Sequence, residues 1–377
     1  MHVLIIVNHD LTLYNFRREF LEKLCIDGFD VFISVPEGEY ISYFKEIGCH
    51  LLPSPLSQHG MNPIRDFYLI FHYCKIIHNV NPDLILTYTI KPNIYGGIAA
   101  SICNIPYIST ITGLGSAFVK SGLVAGISLL LYRVAMRKTR RIFFQNKTHS
   151  DFFNEKHIAV GKHKTVSGSG VNLVKYTYEE YPQSNNNDVR FLFIGRVTKD
   201  KGIDELLEAY SIVRQSHPHV MLELLGNIEE GYKEKIEALD SNGFLISHGR
   251  QENVREYIMN CHLVVLPSHH EGMANVLLEA AACGRPIITS DIPGCREALD
   301  DGLSGFFCKP KDVDSLTMSL LEFLSLADDE RAEMGRKGRE KMEREFDRDN
   351  VIQAYIDDIN SKNINMDCNM KGKHHVF

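Results

Sequence analysis

The chain has 377 residues, a length that suggests two or three domains at about 150 residues each. It is 44% hydrophobic and 24% charged with a formal net charge of −7, which is the composition of a globular protein and excludes disorder, collagen or a coiled coil as its main state. No uncharged run approaches the roughly 20 residues of a membrane-spanning helix. The overall acidity argues against a nucleic-acid-binding protein, because that function needs a basic face.

The nine cysteines are an odd number, and none of them forms a C-x-x-C pair, so the sequence predicts neither a zinc knuckle nor a redox motif. The N-terminal run Met1–Asn8 is too short for a signal peptide and lacks its basic lead. We interpret that run as a buried first strand. The simplest expectation is a reduced, cytoplasmic protein.

Short apolar runs alternate with helix-length amphipathic segments in the first half of the chain. The runs predicted as strands are Val3–Val7, Phe29–Val35, Asp83–Thr89, Pro106–Thr112 and Arg141–Gln145. Because they are apolar on both faces, they indicate a parallel sheet covered by helices on both sides. A stretch rich in Gly, Ser, Asn and Pro follows Ser167, and we place the domain boundary there. The predicted first domain is 1–170 and the linker is 171–188.

The same alternation restarts in the second half. The predicted strands are Arg190–Ile194, Val220–Leu225, Phe244–Ser247, His262–Pro267 and Pro286–Ser290, and the pattern is helical from Phe306 to about Ser361. We predict a second domain at 189–345, a C-terminal helix at 346–361 that packs back on the first domain, and a flexible tail at 362–377. The fold class is therefore α/β, with two Rossmann-like βα domains facing each other across a cleft and ligands at the carboxyl ends of the strands.

Two positive charges follow the first strand of the second half. The strand ends in Gly195, Arg196 and Lys201 lie five positions apart, and a helix is predicted to begin at Gly202. A glycine admits a ligand close to the backbone, and a helix N-terminus presents amides to an anion. An arginine can hold a diphosphate bidentately beside the compact charge of a lysine. An ordinary strand-to-helix turn with solvated basic residues explains the pattern equally well when it is taken alone.

Two carboxylates follow the strand His262–Pro267. Glu271 lies in the loop and Glu279 lies eight positions on, within a helix predicted to begin near Met273, so the two are on the order of 10 Å apart. At that separation they cannot share a catalytic proton, but they can hold hydroxyls at the two ends of an elongated ligand. The alternative makes Glu279 a surface residue and Glu271 a partner of the helix dipole.

Taken together, these two sites resemble family 4 of the retaining glycosyltransferases. The segments that carry the resemblance in the second half are Gly195-Arg196, Lys201-Gly202, Glu271 with Glu279, Glu279–Ile288, Pro293–Glu297, Asp301-Gly302 and Gly305-Phe306. In the first half, Tyr14–Arg17, Lys91–Asn93 and Thr112–Ser116 most resemble bacterial N-acetylgalactosaminyltransferases that act on undecaprenyl-diphosphate-linked sugars.

The resemblance implies a glycosyltransferase B fold, a UDP-sugar donor bound by the second domain, and no cofactor. It implies that Arg196 and Lys201 hold the diphosphate, that Glu271 holds the donor sugar, and that Glu279 takes the ribose hydroxyls; Arg196, Lys201 and Glu271 are the expected catalytic residues. The other expected donor-binding residues are Gly195, Gly272, Met273, Ala274, Asn275 and Val276. The candidate acceptor-side residues are His9, Asn15, Arg17, Lys91, Asn93, Thr112 and Gly113.

Two features depart from the family pattern or compete with it. The loop Asn8–Leu13 has no glycine, and where many relatives carry a histidine after the fourth strand this chain has Thr110 and Thr112. His9 can supply an imidazole there instead, or can be structural.

Asp312-Val313-Asp314 and Asp347-Arg348-Asp349 have the D-x-D pattern of metal-dependent transferases. We interpret them as helix caps and solvated faces, and we expect no metal requirement.

A membrane contact is suggested by the uncharged run Gly122–Tyr132, which is followed by Arg133, Arg137, Lys138, Arg140 and Arg141. Such a segment can lie in a bilayer interface and attract anionic lipid, or it can be a buried helix with a solvated basic end. Since a lipid-linked acceptor is reached only at a membrane, we expect a peripheral protein on the cytoplasmic face of the inner membrane.

The function that these observations favour is a retaining glycosyltransferase that moves a sugar, by resemblance an N-acetylhexosamine, from a UDP-sugar to a lipid-linked glycan. A nucleotide-sugar epimerase and a catalytically silent nucleotide-sugar or glycolipid-binding protein are the alternatives. A nicotinamide-dependent oxidoreductase is disfavoured, because Gly168-Ser169-Gly170 lacks the third glycine of the dinucleotide fingerprint.

Overall fold

The computed structural model describes residues 1–55, 63–113, 123–183 and 188–361. The chain divides into two compact units. The first comprises Met1–Phe144, His149–Val166 and the C-terminal chain from Asp349, and the second comprises Gln145–Thr148 and Ser167–Arg348. Each unit contains its own sheet of parallel strands, so the predicted α/β class is confirmed.

The first unit has a seven-stranded sheet in the order β3-β2-β1-β4-β5-β6-β7. Its strands are β1 His2–Ile6, β2 Asp30–Val35, β3 His50–Pro53, β4 Leu84–Tyr88, β5 Tyr107–Ile111, β6 Arg141–Phe144 and β7 His163–Thr165. The five predicted strands are all present. The two edge strands β3 and β7 were not predicted, because they are short and have no fully buried residue, so they lack the apolar run that marks a central strand.

Successive side chains of each strand enter two different cores, as the pleat of a strand requires. Val3 and Ile5 pack with α1 (Asp10–Ile26), α2 (Ile41–Glu46) and the C-terminal helix, whereas Leu4 and Ile6 pack with α3 (Pro63–Val80) and α4 (Gly97–Cys103). A five-residue π-helix, Pro92–Gly96, leads into α4. The helices of this unit are α1 Asp10–Ile26, α2 Ile41–Glu46, α3 Pro63–Val80, α4 Gly97–Cys103, α5 Leu123–Ala135 and α6 Lys147–Glu155, of which α5 packs on the same sheet face as α3 and α4.

The last helix of the chain, α13 (Arg348–Asn360), packs against the sheet of the first unit. The ring of Tyr355 stacks on Phe143 with centroids 4.0 Å apart. The Asp358 carboxylate pairs with Arg141 at 3.0 Å and with Lys164 at 2.8 Å. Although burial acts in the opposite direction, these two partners hold the pKa of Asp358 below its usual value. The helix is therefore anchored by both an aromatic contact and a charge network.

The second unit has a six-stranded sheet in the order β10-β9-β8-β11-β12-β13. Its strands are β8 Val189–Ile194, β9 Val220–Leu225, β10 Ile246–Ser247, β11 Leu263–Leu266, β12 Ile287–Ser290 and β13 Gly305–Cys308. Its helices are α7 Ile203–Ser216, α8 Lys233–Ser241, α9 Val254–Asn260, α10 Asn275–Ala282, α11 Val313–Ser325 and α12 Asp328–Glu345.

The prediction of helix directly after Phe306 is wrong, because β13 runs to Cys308 and pairs with β12. A Cβ on Gly305 would lie 2.0 Å from the Ile287 carbonyl oxygen, so only glycine allows this approach.

A buried histidine makes the stability of the second unit depend on pH. His262 is buried, its Nδ1 accepts a hydrogen bond from the Arg190 amide at 3.0 Å, and its Nε2 has no partner among the described residues. Burial lowers the pKa of His262 from 6.5 to about 4. Below pH 6.5 the unfolded chain therefore binds a proton that the folded chain does not.

We expect this group to lower the free energy of unfolding by up to about 3 kcal/mol as the pH falls from 6.5 to 4. Urea denaturation at several pH values should show a shallower decline for His262→Gln. The exposed His219 is the control, and His219→Gln should keep the decline of the parent chain. Equal slopes for all three proteins would contradict the assignment.

Candidate active site

The carboxyl ends of β8 and β11 meet at Gly202. After Gly195 the chain forms a short 3-10 turn, Lys199–Lys201, and α7 begins directly after Gly202. Gly202 has φ +72°, and a Cβ there would lie 2.0 Å from the carbonyl oxygen of Pro267. The glycine therefore allows the start of α7 to touch the chain that leaves β11, which brings the two sequence motifs together.

Arg196 lies at the solvent side of this site. Its side chain is 66% exposed, and its Nη2 is 3.6 Å from Asp200 Oδ2. The Thr198 hydroxyl donates to the other oxygen of Asp200 at 2.5 Å. Burial opposes ionisation of Asp200, but this hydrogen bond and the neighbouring Arg196 and Lys201 charges hold its pKa below the usual value. Arg196 is thus loosely held by an ionised carboxylate.

Lys201 and Glu271, 70 positions apart in sequence, form a close ion pair. Lys201 Nζ lies 2.5 Å from Glu271 Oε1, with the two side chains only 18% and 12% exposed. The buried Ser268 hydroxyl donates to the same oxygen at 2.8 Å. The structure therefore brings one candidate diphosphate cation and the candidate sugar-binding carboxylate into direct contact.

A second pair ties the Glu271 loop to the start of α7. The His269 amide donates to the Asp200 carbonyl at 2.9 Å, and His269 Nε2 lies 3.0 Å from Glu205 Oε1. Both side chains are largely buried. Neither residue was predicted for the site. In the sequence, the position of His269 two residues before Glu271 could have indicated a residue of the site. Its partner on α7 could be found only from the fold.

The main chain after Glu271 is held by three residues that are distant in sequence. Asn146 Nδ2 donates to the Gly272 carbonyl at 2.8 Å. The Ser169 hydroxyl lies 2.6 Å from Asn275 Oδ1. A Cβ on Gly294 would lie 2.7 Å from the Glu271 carbonyl oxygen, so glycine is needed where this segment crosses. The loop is thus supported from three sides within the second unit.

The amides of this loop fall into two groups. Ala274 donates to the Gly294 carbonyl at 2.7 Å, and Asn275 donates to Met273 at 3.0 Å. Within the described parts of the chain, the amides of Gly272, Met273 and Val276 have no acceptor. The helix α10 begins at Asn275, two residues later than predicted. Three unbonded amides beside Glu271 can therefore receive an acceptor oxygen of a ligand.

Glu279 lies in a different environment from Glu271. It is half-buried on α10. Burial raises the pKa of its carboxyl group, while the charges of Arg348 and Lys175 and the hydroxyl of Tyr176 act in the opposite direction. The two carboxylates therefore have separate partners, and their roles toward the sugar and the ribose remain predictions.

A glycine crossing next to the site was not predicted. Gly226 follows β9 and donates its amide to the Gly249 carbonyl at 2.8 Å. A Cβ on Gly226 would lie 2.0 Å from the Gly195 carbonyl oxygen. The carboxyl ends of β8, β9 and β10 thus meet through bare backbone. The glycine after each strand was the available signal in the sequence.

The acceptor-side candidates of the first unit fall into a buried group and an accessible group. Asn93 is buried, with Oδ1 2.7 Å from the Thr87 hydroxyl and Nδ2 donating to the Thr110 carbonyl at 2.8 Å. Arg17 is 5% exposed and lies over the rings of Tyr88 and Tyr355. Both side chains hold structural elements together, so a direct acceptor contact would require them to move.

The accessible candidates lie at the strand ends and on α1. His9 is half-buried, and its Nδ1 caps α1 by accepting the Leu11 amide at 3.1 Å. Asn15 is exposed on α1, and Thr112 and Gly113 follow β5. Lys91 immediately precedes the π-helix. The predicted residues Leu114–Ser116 lie outside the described residues.

The first D-x-D motif caps a helix, as predicted. The Asp312 carboxylate accepts the Ser315 amide at 2.8 Å and begins α11. Within the described ranges no group of three or more His, Cys, Asp or Glu side chains could hold a metal ion. Metal independence remains a prediction.

Gly202→Ala is expected to destabilise the site far more than a glycine replacement elsewhere. The new Cβ would clash with the Pro267 carbonyl oxygen, and alanine would have to adopt a left-handed backbone conformation. Together these should lower the free energy of unfolding by roughly 3 kcal/mol or more. Gly243 is the matched control, since it has φ +66° and a Cβ there would have nothing within 4 Å, and alanine at this position should cost only about 1 kcal/mol. Urea denaturation of both variants measures the difference, and equal losses would contradict the close approach.

Two family models match the chain. One is described as Glycosyl transferases group 1 and matches residues 176–341, and the other is described as Glycosyl transferase 4-like and matches residues 2–146. The second half of the chain is thus similar to group 1 glycosyl transferases and the first half to the glycosyl transferase 4-like family, and the predicted resemblance to glycosyltransferases is confirmed.

Among individual relatives, the chain is 26% identical over 362 residues to an N,N'-diacetylbacillosaminyl-diphospho-undecaprenol alpha-1,3-N-acetylgalactosaminyltransferase of Campylobacter jejuni, which covers 92% of this chain and 94% of the relative. It is also 26% identical over 361 residues to the capsular polysaccharide biosynthesis glycosyltransferase CapM of Staphylococcus aureus, covering 91% of this chain and 92% of that protein.

Solved structures share the fold at low sequence identity. Anabaena Alr3699/HepE in complex with UDP-glucose has a TM-score of 0.76 and 16% identity, covering 96% of this chain and 100% of that one. A glycosyltransferase from Rickettsia africae has a TM-score of 0.78 and 15% identity, covering 96% and 99%. The predicted glycosyltransferase B fold is confirmed. Across the described residues, no helix has the length and apolar character needed to cross a membrane.

Proposed function

We propose that the protein is a retaining glycosyltransferase that transfers an N-acetylhexosamine from a UDP-sugar to a lipid-linked saccharide. The observation that carries this proposal is the Lys201–Glu271 ion pair, 2.5 Å long, at the joined carboxyl ends of β8 and β11. A cation and a carboxylate side by side suit a donor whose diphosphate and sugar hydroxyls are adjacent. The relatives named for N-acetylgalactosaminyl transfer and capsule synthesis support the sugar and pathway class.

The chemistry follows from the charge that develops during transfer. As the bond between the sugar and the diphosphate breaks, the departing UDP gains negative charge. Lys201 and Arg196 stabilise that charge more strongly in the transition state than in the ground state, which accelerates the reaction. Glu271 holds the sugar hydroxyls, the unbonded amides of Gly272 and Met273 receive donor oxygens, and Glu279 holds the ribose. A donor phosphate oxygen takes the acceptor proton, so the reaction needs neither a protein nucleophile nor a metal ion.

The acceptor side belongs to the first unit. His9, Asn15, Lys91, Thr112 and Gly113 lie at strand ends or on α1, where a glycan can be reached. A lipid-linked acceptor places the reaction at the cytoplasmic face of the inner membrane, with the enzyme attached as a peripheral protein. Product analysis by NMR tests retention of the anomeric configuration, and undiminished turnover in chelator tests metal independence.

The first test is a thermal-shift comparison with UDP, GDP, ADP and NAD, followed by UDP-sugars. A ligand that binds only the folded chain raises its melting temperature by mass action. We expect a shift with UDP and a further dependence on UDP-N-acetylhexosamines.

The variants Lys201→Met and Lys199→Met are a matched pair, since Lys199 is exposed in the same 3-10 turn. Only Lys201→Met should lose the UDP shift. A shift with NAD and none with nucleoside diphosphates would contradict the proposal, and UDP-sugar binding without transfer or donor hydrolysis would indicate a silent binding protein.

A further inference from the structure

The helix α5 has two different apolar faces. Tyr132 and Ala135 on one face are fully buried in the first unit. On another face Ile127, Leu130 and Val134 are each more than half exposed, and their spacing of three and four residues places them in one row along the helix. The helix is therefore anchored in the core and also presents an apolar row to solvent, which combines the two alternatives that the sequence left open.

The neighbouring helix α3 presents aromatic side chains in the same way. Phe67, Tyr68 and Phe71 are each at least 60% exposed, and the rings of Phe67 and Phe71 form an edge-on pair with centroids 5.2 Å apart. Isolated exposed apolar residues are common on protein surfaces, but a group of aromatic rings on one helix marks an interaction site.

The two rows lie on the same side of the first unit. Both α3 and α5 pack beside α4 on one face of the sheet. Each helix precedes a strand of this parallel sheet and follows another, so its N-terminal half lies near the carboxyl ends of the strands. Phe67, Tyr68 and Phe71 of α3 and Ile127 of α5 lie in these N-terminal halves, at the edge of the sheet where the acceptor-side residues Thr112 and Gly113 are found. Leu130 and Val134 continue the row of α5 along its C-terminal half.

Basic residues continue both rows toward the C-terminal halves. On α3, Lys75 is exposed and lies four positions after Phe71, on the same face. After α5, Arg137 and Lys138 are exposed. The sequence from Leu84 to Ser150 contains no acidic residue, although the whole chain has a net charge of −7. The α5 part of this face is therefore both apolar and locally positive in an otherwise acidic protein.

We propose that the face formed by α3 and α5 is the surface by which the protein docks on an anionic lipid bilayer. The proposal deepens the proposed function and rests on it for the biological role. Aromatic rings favour the membrane interface and basic residues favour anionic headgroups. Here exposed rings occur with Lys75 on α3, and an exposed aliphatic row on α5 is followed by Arg137 and Lys138. A second protein copy would bring the same positive face against itself, which like charges oppose. The docked orientation would bring the acceptor edge of the first unit to the lipid surface.

Vesicle co-sedimentation of the full chain tests this surface without any substrate. The vesicles are phosphatidylcholine with and without phosphatidylglycerol. The variants are Phe67→Ser/Phe71→Ser, Ile127→Ser/Leu130→Ser and Arg137→Glu/Lys138→Glu. Arg140 and Arg141 are left unchanged, because they bond to residues of α13 and the residue that follows it. The control is Val174→Ser/Met318→Ser, two exposed apolar residues of the second unit.

We expect the parent chain and the control to bind phosphatidylglycerol vesicles in a salt-dependent manner, and each test variant to bind about tenfold or more weakly. Unchanged binding by the three variants, or no vesicle binding by the parent chain, would overturn the proposal. Sedimentation velocity without lipid detects self-association, and a dimer that only the test variants lose would assign the face to a second copy instead. UDP binding reports on the second unit, so loss of vesicle binding with retained UDP binding separates this proposal from the proposed function.

Discussion

Replacing Glu271 by alanine is expected to lower transfer by about a hundredfold or more, while the affinity for UDP falls by no more than about threefold. The reason is that Glu271 is assigned to the donor sugar, which UDP lacks, and a buried charged contact made in the transition state contributes about 3 kcal/mol to catalysis. Steady-state kinetics with a UDP-sugar and calorimetric titration with UDP measure the two effects separately.

Two further variants make this result interpretable. Glu208→Ala removes an exposed carboxylate from α7 and should leave both quantities unchanged. Glu279→Ala should weaken UDP binding and donor binding together, since this residue is assigned to the ribose. If Glu271→Ala reduced UDP affinity as strongly as it reduced transfer, the assignment of Glu271 to the sugar would be wrong.

Replacing Lys201 by methionine should damage UDP binding and turnover together, each by about tenfold to a hundredfold. Lys201 is only 18% exposed, so its charge acts in a medium that screens it less than bulk water. Arg196 is 66% exposed, and Arg196→Ala should therefore have the same kind of effect with a smaller magnitude. Isothermal titration with UDP and initial-rate kinetics measure these changes, with Lys199→Met as the unaffected control.

The ion pair also predicts how the two largest effects combine. Because Lys201 and Glu271 contact each other, the double variant Lys201→Met/Glu271→Ala should lose less than the sum of the two single losses. Melting temperatures of all three variants separate this coupling from unfolding. Strict additivity would contradict the coupling between the two residues, and a Lys201→Met protein with normal UDP affinity would remove Lys201 from the diphosphate site.

The fold class and the central strands could be predicted from the sequence because they depend on local apolar runs. A buried strand of a parallel sheet, such as β1 or β11, is apolar on both faces and differs in composition from the helices beside it. The edge strands β3 and β7 have no such run, since pairing on one side only leaves their residues half-exposed. The last strand, β13, is apolar and mostly buried but only four residues long. They form because neighbouring strands offer hydrogen-bonding partners, which is a tertiary property.

The candidate donor residues could also be predicted from the sequence, because glycines, cations and carboxylates at the ends of strands follow a motif whose spacing is fixed along the chain. The residues that support these candidates in the fold could not be predicted. Glu205 supports His269, and Asn146 supports Gly272 from a loop that lies more than a hundred positions away in sequence. No pattern in the sequence connects such partners.

The sequence by itself determined the two parallel-sheet domains, the resemblance to glycosyltransferases, and the candidate residues for the donor. These follow from hydrophobic periodicity and from local motifs, which act over a few residues. Only the tertiary structure decided that Lys201 meets Glu271, that Arg17 and Asn93 are buried, and that α5 is apolar on both a buried and an exposed face. Those outcomes depend on which distant segments pack together, because burial and ion pairing are properties of three-dimensional contact rather than of neighbouring residues in the chain.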